Sequence, residues 1–264
     1  MIKQWKFPGG VVLDGHKQLA DISEPTLPPE LTYPLLQRSD YYVEPVVKPG
    51  QRVLKGEVIA NSQNPLATPV HAASSGVITA IASRLIAHPS GLSDTCIIIQ
   101  TDGLDTVCPG NPCPNYQLET PAELRHKTAL AGIVGLGGAA FPTAVKLKNR
   151  LPTHTLIING AECEPYISCD ISLIQANAQQ IIQGALIMQY ILQAERCIIA
   201  IENTMPVAHQ ALLSAASEVD IQIITVPAIY PTGGEKQLIE VLTGVKIPAK
   251  ALPADHGLVC QNVG

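Results

Sequence analysis

The chain has 264 residues, 46% of them hydrophobic and 15% charged, which suffices for two domains with a sizeable buried core. A formal net charge of -5 leaves no basic footprint and argues against nucleic acid as a partner. No apolar run reaches the ~18 residues of a membrane span, and the opening MIKQWKFPGG has no apolar signal-peptide core, so the sequence predicts a cytoplasmic protein.

Aromatic residues are only 4% of the chain, so Trp5, Phe7 and Phe141 stand out. The seven cysteines (96, 108, 113, 163, 169, 197 and 260) form no C-x-x-C pair. Their odd number and loose spacing predict free thiols and no metal site.

Residues 1–105 read as a β module. Val46–Ala60 and Pro69–Ile81 alternate apolar and polar residues between glycine turns, as short strands do. The two segments resemble the halves of a barrel-sandwich carrier domain. The turn Ala73-Ser74-Ser75-Gly76 lacks the lysine that carriers modify, which leaves a structural β module. Cys96–Gln100 adds a buried strand. Residues 106–122, rich in Pro, Cys and Asn, read as a linker. Thr120-Pro121-Ala122-Glu123 then has the form of a helix start: Thr as cap, Pro first inside, Glu at the third position.

Residues 123–264 alternate strand and helix. Strands are expected at 155–159, 197–202 and 221–226, and helices at 170–193, 206–217 and 234–242. This order predicts a Rossmann-like α/β domain with a mainly parallel sheet, whose ligands gather at the carboxyl ends of the strands.

Three polar clusters occupy the connections. Gly135-Leu136-Gly137-Gly138-Ala139-Ala140-Phe141-Pro142 leads into a helix carrying Lys146. Such a stretch is either a tight helix-opening turn or a cradle where bare backbone meets a phosphorylated ligand; Lys146 either reaches that phosphate or is solvated. Asn159-Gly160-Ala161-Glu162-Cys163-Glu164-Pro165-Tyr166 follows the first strand. In an extended loop Glu162 and Glu164 point the same way and suit sugar hydroxyls; the plainer reading is a glutamate capping a nearby helix. Tyr230-Pro231-Thr232-Gly233-Gly234-Glu235 follows the third strand, and polar residues also follow the strand that ends at Glu202.

In this order GLGGAAFPTAVKL, LIINGAECEPYISCD, AIENTMP, YPTGGEKQLIEVLTG and the final QNVG resemble the C subunit of the Rnf (Rsx) ion-translocating electron transport complex, as does the opening Phe7-Pro8-Gly9-Gly10. The same motifs are more distantly similar to the flavin-bearing, NADH-oxidising subunit of respiratory complex I. The resemblance implies an NADH-dependent oxidoreductase subunit with FMN and NAD(H) as cofactors and no side-chain catalyst. Carried over by motif, Gly135, Gly137, Gly138 and Lys146 would line the flavin phosphate and ring. Asn159, Glu162, Tyr230, Gly233 and Gly234 would hold the flavin. Phe141 and Glu164 would face the nicotinamide nucleotide, Glu235 would lie where the two meet, and Asn262 would close the pocket.

Four positions depart from the complex I pattern: Leu136 replaces an arginine, Ala140 a glycine, Ala161 an aspartate, and Gly234 the first of a glutamate pair. The family implies 4Fe–4S clusters and a β-grasp module beyond Gly264, so this sequence reads as a piece of a longer protein. It also implies partner subunits that hold the chain peripherally at the cytoplasmic side of the bacterial inner membrane. Two alternatives stay open, a related flavin reductase of cobalamin metabolism and a non-catalytic docking module with a decayed nucleotide pocket.

Overall fold

The computed structural model describes residues 6–38, 41–148 and 151–264; Trp5 lies outside them. The first half is antiparallel. Its strands are β1 (Glu30–Pro34), β2 (Leu36–Arg38), β3 (Tyr41–Tyr42), β4 (Glu44–Pro45), β5 (Arg52–Val53), β6 (Val58–Asn61), β7 (Val70–His71), β8 (Gly76–Leu85) and β9 (Ser93–Thr101). One sheet has the order β1-β9-β8-β5 and a second β4-β6-β7. Val53, Ile59, Ile78, Ile97 and Ile99 interdigitate between them as a barrel-sandwich core. The Ser74-Ser75-Gly76 turn is tight for a physical reason: a Cβ on Gly76 would lie 2.2 Å from the Gln100 carbonyl oxygen and 2.9 Å from Ile99 Cγ2.

The second half contains α1 (Pro121–Leu130), α2 (Thr143–Lys146), β10 (Thr155–Gly160), α3 (Cys169–Leu192), β11 (Arg196–Glu202), α4 (Pro206–Ala215), β12 (Ile221–Val226), α5 (Glu235–Thr243) and β13 (Leu258–Asn262). Thr120 and Glu123 form the expected capping box on α1. The sheet is wholly parallel, in the order β12-β11-β10-β13. Its strands are mostly apolar in their middles because both faces are covered. Leu156, Ile158, Ile199 and Ile201 pack against α3 and α4, whereas Ile157, Ile198 and Ala200 pack against Leu238, Ile239 and Leu242 of α5. The chain is therefore α/β, a β barrel-sandwich half followed by a Rossmann-like half.

The first strand begins at Glu30. Phe7 packs with the core beneath α5, and Val11 forms an antiparallel bridge with Tyr230, so the opening segment lies along the α/β half. The helix after the glycine loop is a single turn, Thr143–Lys146, with no side-chain cap. A turn that short carries little macrodipole, so any anion there depends on individual N–H groups.

Gly76→Ala tests the barrel-sandwich turn. Because both atoms it would strike sit in a paired strand, we expect a loss of about 1–3 kcal/mol, read as a lower urea midpoint. Gly110→Ala, where nothing lies within 4 Å of the added methyl, should leave the midpoint unchanged.

Candidate functional site

A parallel sheet delivers all its carboxyl ends to one edge, so the loops after β10, β11, β12 and β13 meet there. The strand order reverses between β10 and β13, which is the switch point where open α/β sheets form their crevice. Asn159 and Asn262 are register partners at that point.

The glycine loop has no strand before it and reaches the switch point by docking on the end of β13. Gly135 N–H donates to the Phe141 carbonyl (2.9 Å), and Val134 bridges Pro142. Gln261 Nε2 donates to Thr143 Oγ1 (3.1 Å). A Cβ on Gly135 would lie 3.3 Å from Gln261 Nε2, and one on Gly137 would lie 3.6 Å from Asn262 Cβ. Gly138 has φ +93° with nothing within 4 Å of a built Cβ, so it needs glycine for its backbone alone. Among the described residues, the N–H groups of Gly137, Gly138 and Ala139 form no hydrogen bond, and all three residues are exposed. Ala140 adopts φ +45° where the distant pattern has glycine.

Three side chains tie the clusters together. Lys146 Nζ donates to Glu235 Oε1 (3.0 Å) and to the Cys260 carbonyl (2.7 Å), joining the first cluster to the third. Asn159 Nδ2 donates to the Gly233 carbonyl (2.8 Å) while its Oδ1 accepts from Ala161 N–H (3.0 Å), joining the second to the third. Asn262 Nδ2 donates to Asp170 Oδ2 (2.8 Å), which fastens β13 to the start of α3.

Glu162 and Glu164 do not share an orientation. Glu162 is 4% exposed and Glu164 faces solvent. The reason is the helix below: Glu162 Oε1 accepts from Asp170 N–H (3.0 Å) and Cys169 Sγ (3.1 Å), capping α3, whose own Ser168 makes no side-chain cap bond. Glu162 Oε2 has no hydrogen-bond partner and lies 3.6 Å from Lys17 Nζ. The capping role and an ion pair with Lys17 thus coexist on one carboxylate.

Gly233 and Gly234 are fixed by packing. A Cβ on Gly233 would fall 2.0 Å from the Ala161 carbonyl oxygen, and one on Gly234 2.6 Å from Gln237 Oε1. Gly233 N–H donates to Cys163 Sγ (2.9 Å). Tyr230 is 40% exposed and pairs through its backbone with Val11. Phe141 is half-buried, with the Arg38 guanidinium 5.0 Å and Lys146 Nζ 6.0 Å from its ring centre.

The electrostatics are acidic on the α3 side. Burial pushes the Asp170 carboxyl up, opposed by the Asn262 hydrogen bond. Burial likewise raises Glu202, opposed by its contact with Cys163. Burial pushes the Cys163 thiol up to about 12, so it is a neutral packing group. All seven cysteines are free. Oxygen and sulfur atoms of Glu162, Cys169 and Asp170 lie within 4.8 Å of one another, a spacing a metal ion could use, but Lys17 and the Asn262 amide already serve them.

Sequence reasoning missed Lys17, Arg38 and Asp170 as parts of this edge, and placed Glu202 and Gln261 there only as polar strand ends. Lys17 and Arg38 come from segments remote in sequence, and no periodicity marks them.

Residues 129–264 match the family model described as the Nuo51 FMN-binding domain, and residues 5–104 match the RnfC barrel sandwich hybrid domain. The C subunit of the ion-translocating oxidoreductase complex of Vibrio cholerae serotype O1 is 44% identical over 99% of this chain and 34% of its own length. The protein of the same name from Pseudomonas aeruginosa is 43% identical over 98% of this chain and 34% of its own. The chain therefore spans about a third of the length of these curated relatives. An NAD+-reducing NiFe-hydrogenase in the air-oxidized state is 27% identical, covering 57% of this chain and 29% of its own, with a TM-score of 0.49. With a Nuo51-type half built around the β10/β13 switch point, the chain belongs to the Nuo51 FMN-binding domain family; its first half is similar to the RnfC barrel sandwich hybrid domain.

Proposed function

We propose that this chain is the FMN- and NADH-binding part of an electron-transport subunit, acting as an NADH-dependent oxidoreductase component of an ion-translocating complex. The observation that carries the reading is the edge at the β10/β13 switch point, where unpaired backbone donors and buried acceptors gather. Among the described residues the N–H groups of Gly137, Gly138 and Ala139 are unpaired. Gln261 Oε1 and Glu162 Oε2 are buried without a hydrogen-bond partner, the latter 3.6 Å from Lys17 Nζ. Buried polar atoms are normally paired, so these two acceptors suit the N–H and O–H donors of a flavin.

The residues fit the group as follows. The glycine-loop N–H groups would hold the phosphate, aided by Lys146. An ammonium has three donors; Lys146 directs two at Glu235 and the Cys260 carbonyl and keeps one. Asn159, Glu162, Asn262 and the backbone of Tyr230, Gly233 and Gly234 would line the flavin, with Gly135 at the ring edge. Phe141 would offer its face to a base of the nicotinamide nucleotide. Glu164 would accept from ribose hydroxyls, and Glu235 would stand between the two cofactors. Bound FMN supplies the interchange between two-electron and one-electron transfer that couples NADH to iron–sulfur clusters. The protein supplies position, charge and exclusion of water.

The electron acceptors in this reading are 4Fe–4S clusters carried outside residues 1–264, and the partners are the other subunits of the complex. Among the described residues no helix is long and apolar enough to cross a membrane. The reading therefore places the chain peripherally, on the cytoplasmic side, through those partners.

Titration of the purified chain with FMN, followed by quenching of flavin fluorescence, tests the proposal. Saturable binding at micromolar FMN is expected, and its absence in the full-length protein refutes the reading. Glu162→Ala should weaken binding about tenfold or more, because it removes a charged acceptor worth roughly 1.5–3 kcal/mol. Glu57→Ala, which removes a turn acceptor in the β module, should not change it.

Gly137→Ala separates binding from folding. The added methyl meets only ordinary contacts with Asn262, so stability should stay within about 0.5 kcal/mol of the parent. It would stand over an exposed N–H group, and FMN affinity should fall. An unaltered FMN affinity would remove the glycine loop from the site.

A further inference from the structure

We infer that Lys17 is a positioning residue of this site, and that the segment Val11–Gln18 is a latch holding the acidic loop 162–168 against the sheet. The inference rests on the flavin reading only for what the latch does to the cofactor.

The latch is visible in its bonds. Val11 and Tyr230 exchange two backbone hydrogen bonds of 2.9 Å, which anchors one end beside the loop after β12. Tyr166 N–H donates to the Gly15 carbonyl (2.8 Å) and Ser168 Oγ to the Gln18 carbonyl (2.9 Å), which anchors the other end beside α3. The His16 ring stacks on Tyr166 at 5.3 Å. Between these anchors Lys17 turns inward. Its Nζ donates to the carbonyls of Glu162 (2.5 Å) and Ile167 (2.7 Å) and lies 3.4 Å from that of Glu164. One ammonium thus gathers three carbonyls of one loop, and Tyr166 within that loop sits at φ +66°. A backbone held in the left-handed region persists only where its surroundings enforce it.

Lys17 is also the cation of the acidic side. The groups facing Glu162 are Cys169 and Asp170 from α3, Glu202 from the end of β11, and Lys17 from the latch, while Glu164 of the same loop acts on Asp170. Its charge is felt by both Asp170 and Glu202, whose carboxyls burial would otherwise raise further. With Leu13, Cys163, Glu202, Thr204 and Tyr230 it lines a cavity of about 340 Å³ at this edge. Removing the ammonium leaves Glu162 buried without a counter-cation, held only by its two bonds at the start of α3, and frees the loop that presents it.

Lys17→Met and Lys17→Arg in the whole chain test this with two independent readouts. In hydrogen exchange without FMN, Lys17→Met should speed exchange across residues 162–168 at least about tenfold, while β10 and β11 stay protected and so report an intact fold. Unchanged exchange at 162–168 overturns the latch. In FMN titration, Lys17→Met should raise Kd about tenfold and lower the flavin midpoint potential, because the site loses a positive charge; Lys17→Arg should restore both. Parent-like Kd and potential in Lys17→Met overturn the positioning role. Parent protein that takes up no FMN refutes the flavin reading instead, and the exchange result alone then decides the latch.

Discussion

The parallel pairing of β10 with β13 is the constraint on which the site depends. Every loop of the candidate site is placed relative to that pair. The acidic loop leaves β10 directly, and the glycine loop reaches the same level only because Gln261 and Asn262 at the end of β13 receive it. The register brings Asn159 opposite Asn262, and each asparagine then reaches away from the other. One bonds the Gly233 backbone and the other Asp170. A slip of β10 by one residue would turn the Asn159 amide to the opposite face of the sheet. The burial of Ile157 and Ile158 on opposite faces forbids that slip, because it would exchange the packing on α3 with that on α5. Core packing therefore sets the site register.

The glycines divide into two kinds, and the division explains much of the loop chemistry. Gly76 and Gly233 are glycine because a methyl would strike a carbonyl oxygen at 2.2 Å and 2.0 Å. At such distances the backbone must move, so these positions serve packing. Gly137 and Gly138 have room for a methyl, yet sit exposed with unpaired N–H groups. Nothing in the protein's own packing demands their lack of a side chain, although φ at Gly138 does. Of the glycines carried over by motif, Gly137 is thus the one that neither contact nor φ accounts for, and the flavin reading assigns its bare backbone to an approaching ligand.

The strands and long helices were legible in the sequence because their signals are local. The run Thr155–Asn159 and the helical spacing from Ile171 to Ile191 need no knowledge of neighbours, and the Thr120–Glu123 box is written in four residues. The motif clusters were legible as clusters. Their internal geometry was not. The parallel orientation assigned to Glu162 and Glu164 assumed an extended loop, whereas the start of α3 claims the first carboxylate and leaves the second in water. The anion site assigned to a helix start met a helix of one turn. Lys17 and Arg38 were illegible because their contacts, with Glu162 and Phe141, span more than a hundred residues.

The edge of the sheet is electrically polarised, and the polarity is built from both ends of the chain. Lys146 and Arg38 flank Phe141 beside the glycine loop, while Glu162, Asp170 and Glu202 gather on the α3 side around the single ammonium of Lys17. Under the flavin reading this gradient orients a ligand before any base-specific contact forms. A phosphate is drawn to the cationic side with its free N–H groups, and a donor-rich ring or ribityl chain to the carboxylate side. Burial amplifies the effect, since a charge pair beneath a loop is screened far less than one in solvent. It also explains why Lys146 is shared with Glu235 and not left free. An unpaired ammonium beside an exposed loop would hold any anion, whereas one already bonded to a carboxylate and a carbonyl yields its remaining donor only to a ligand that the glycine loop also grips.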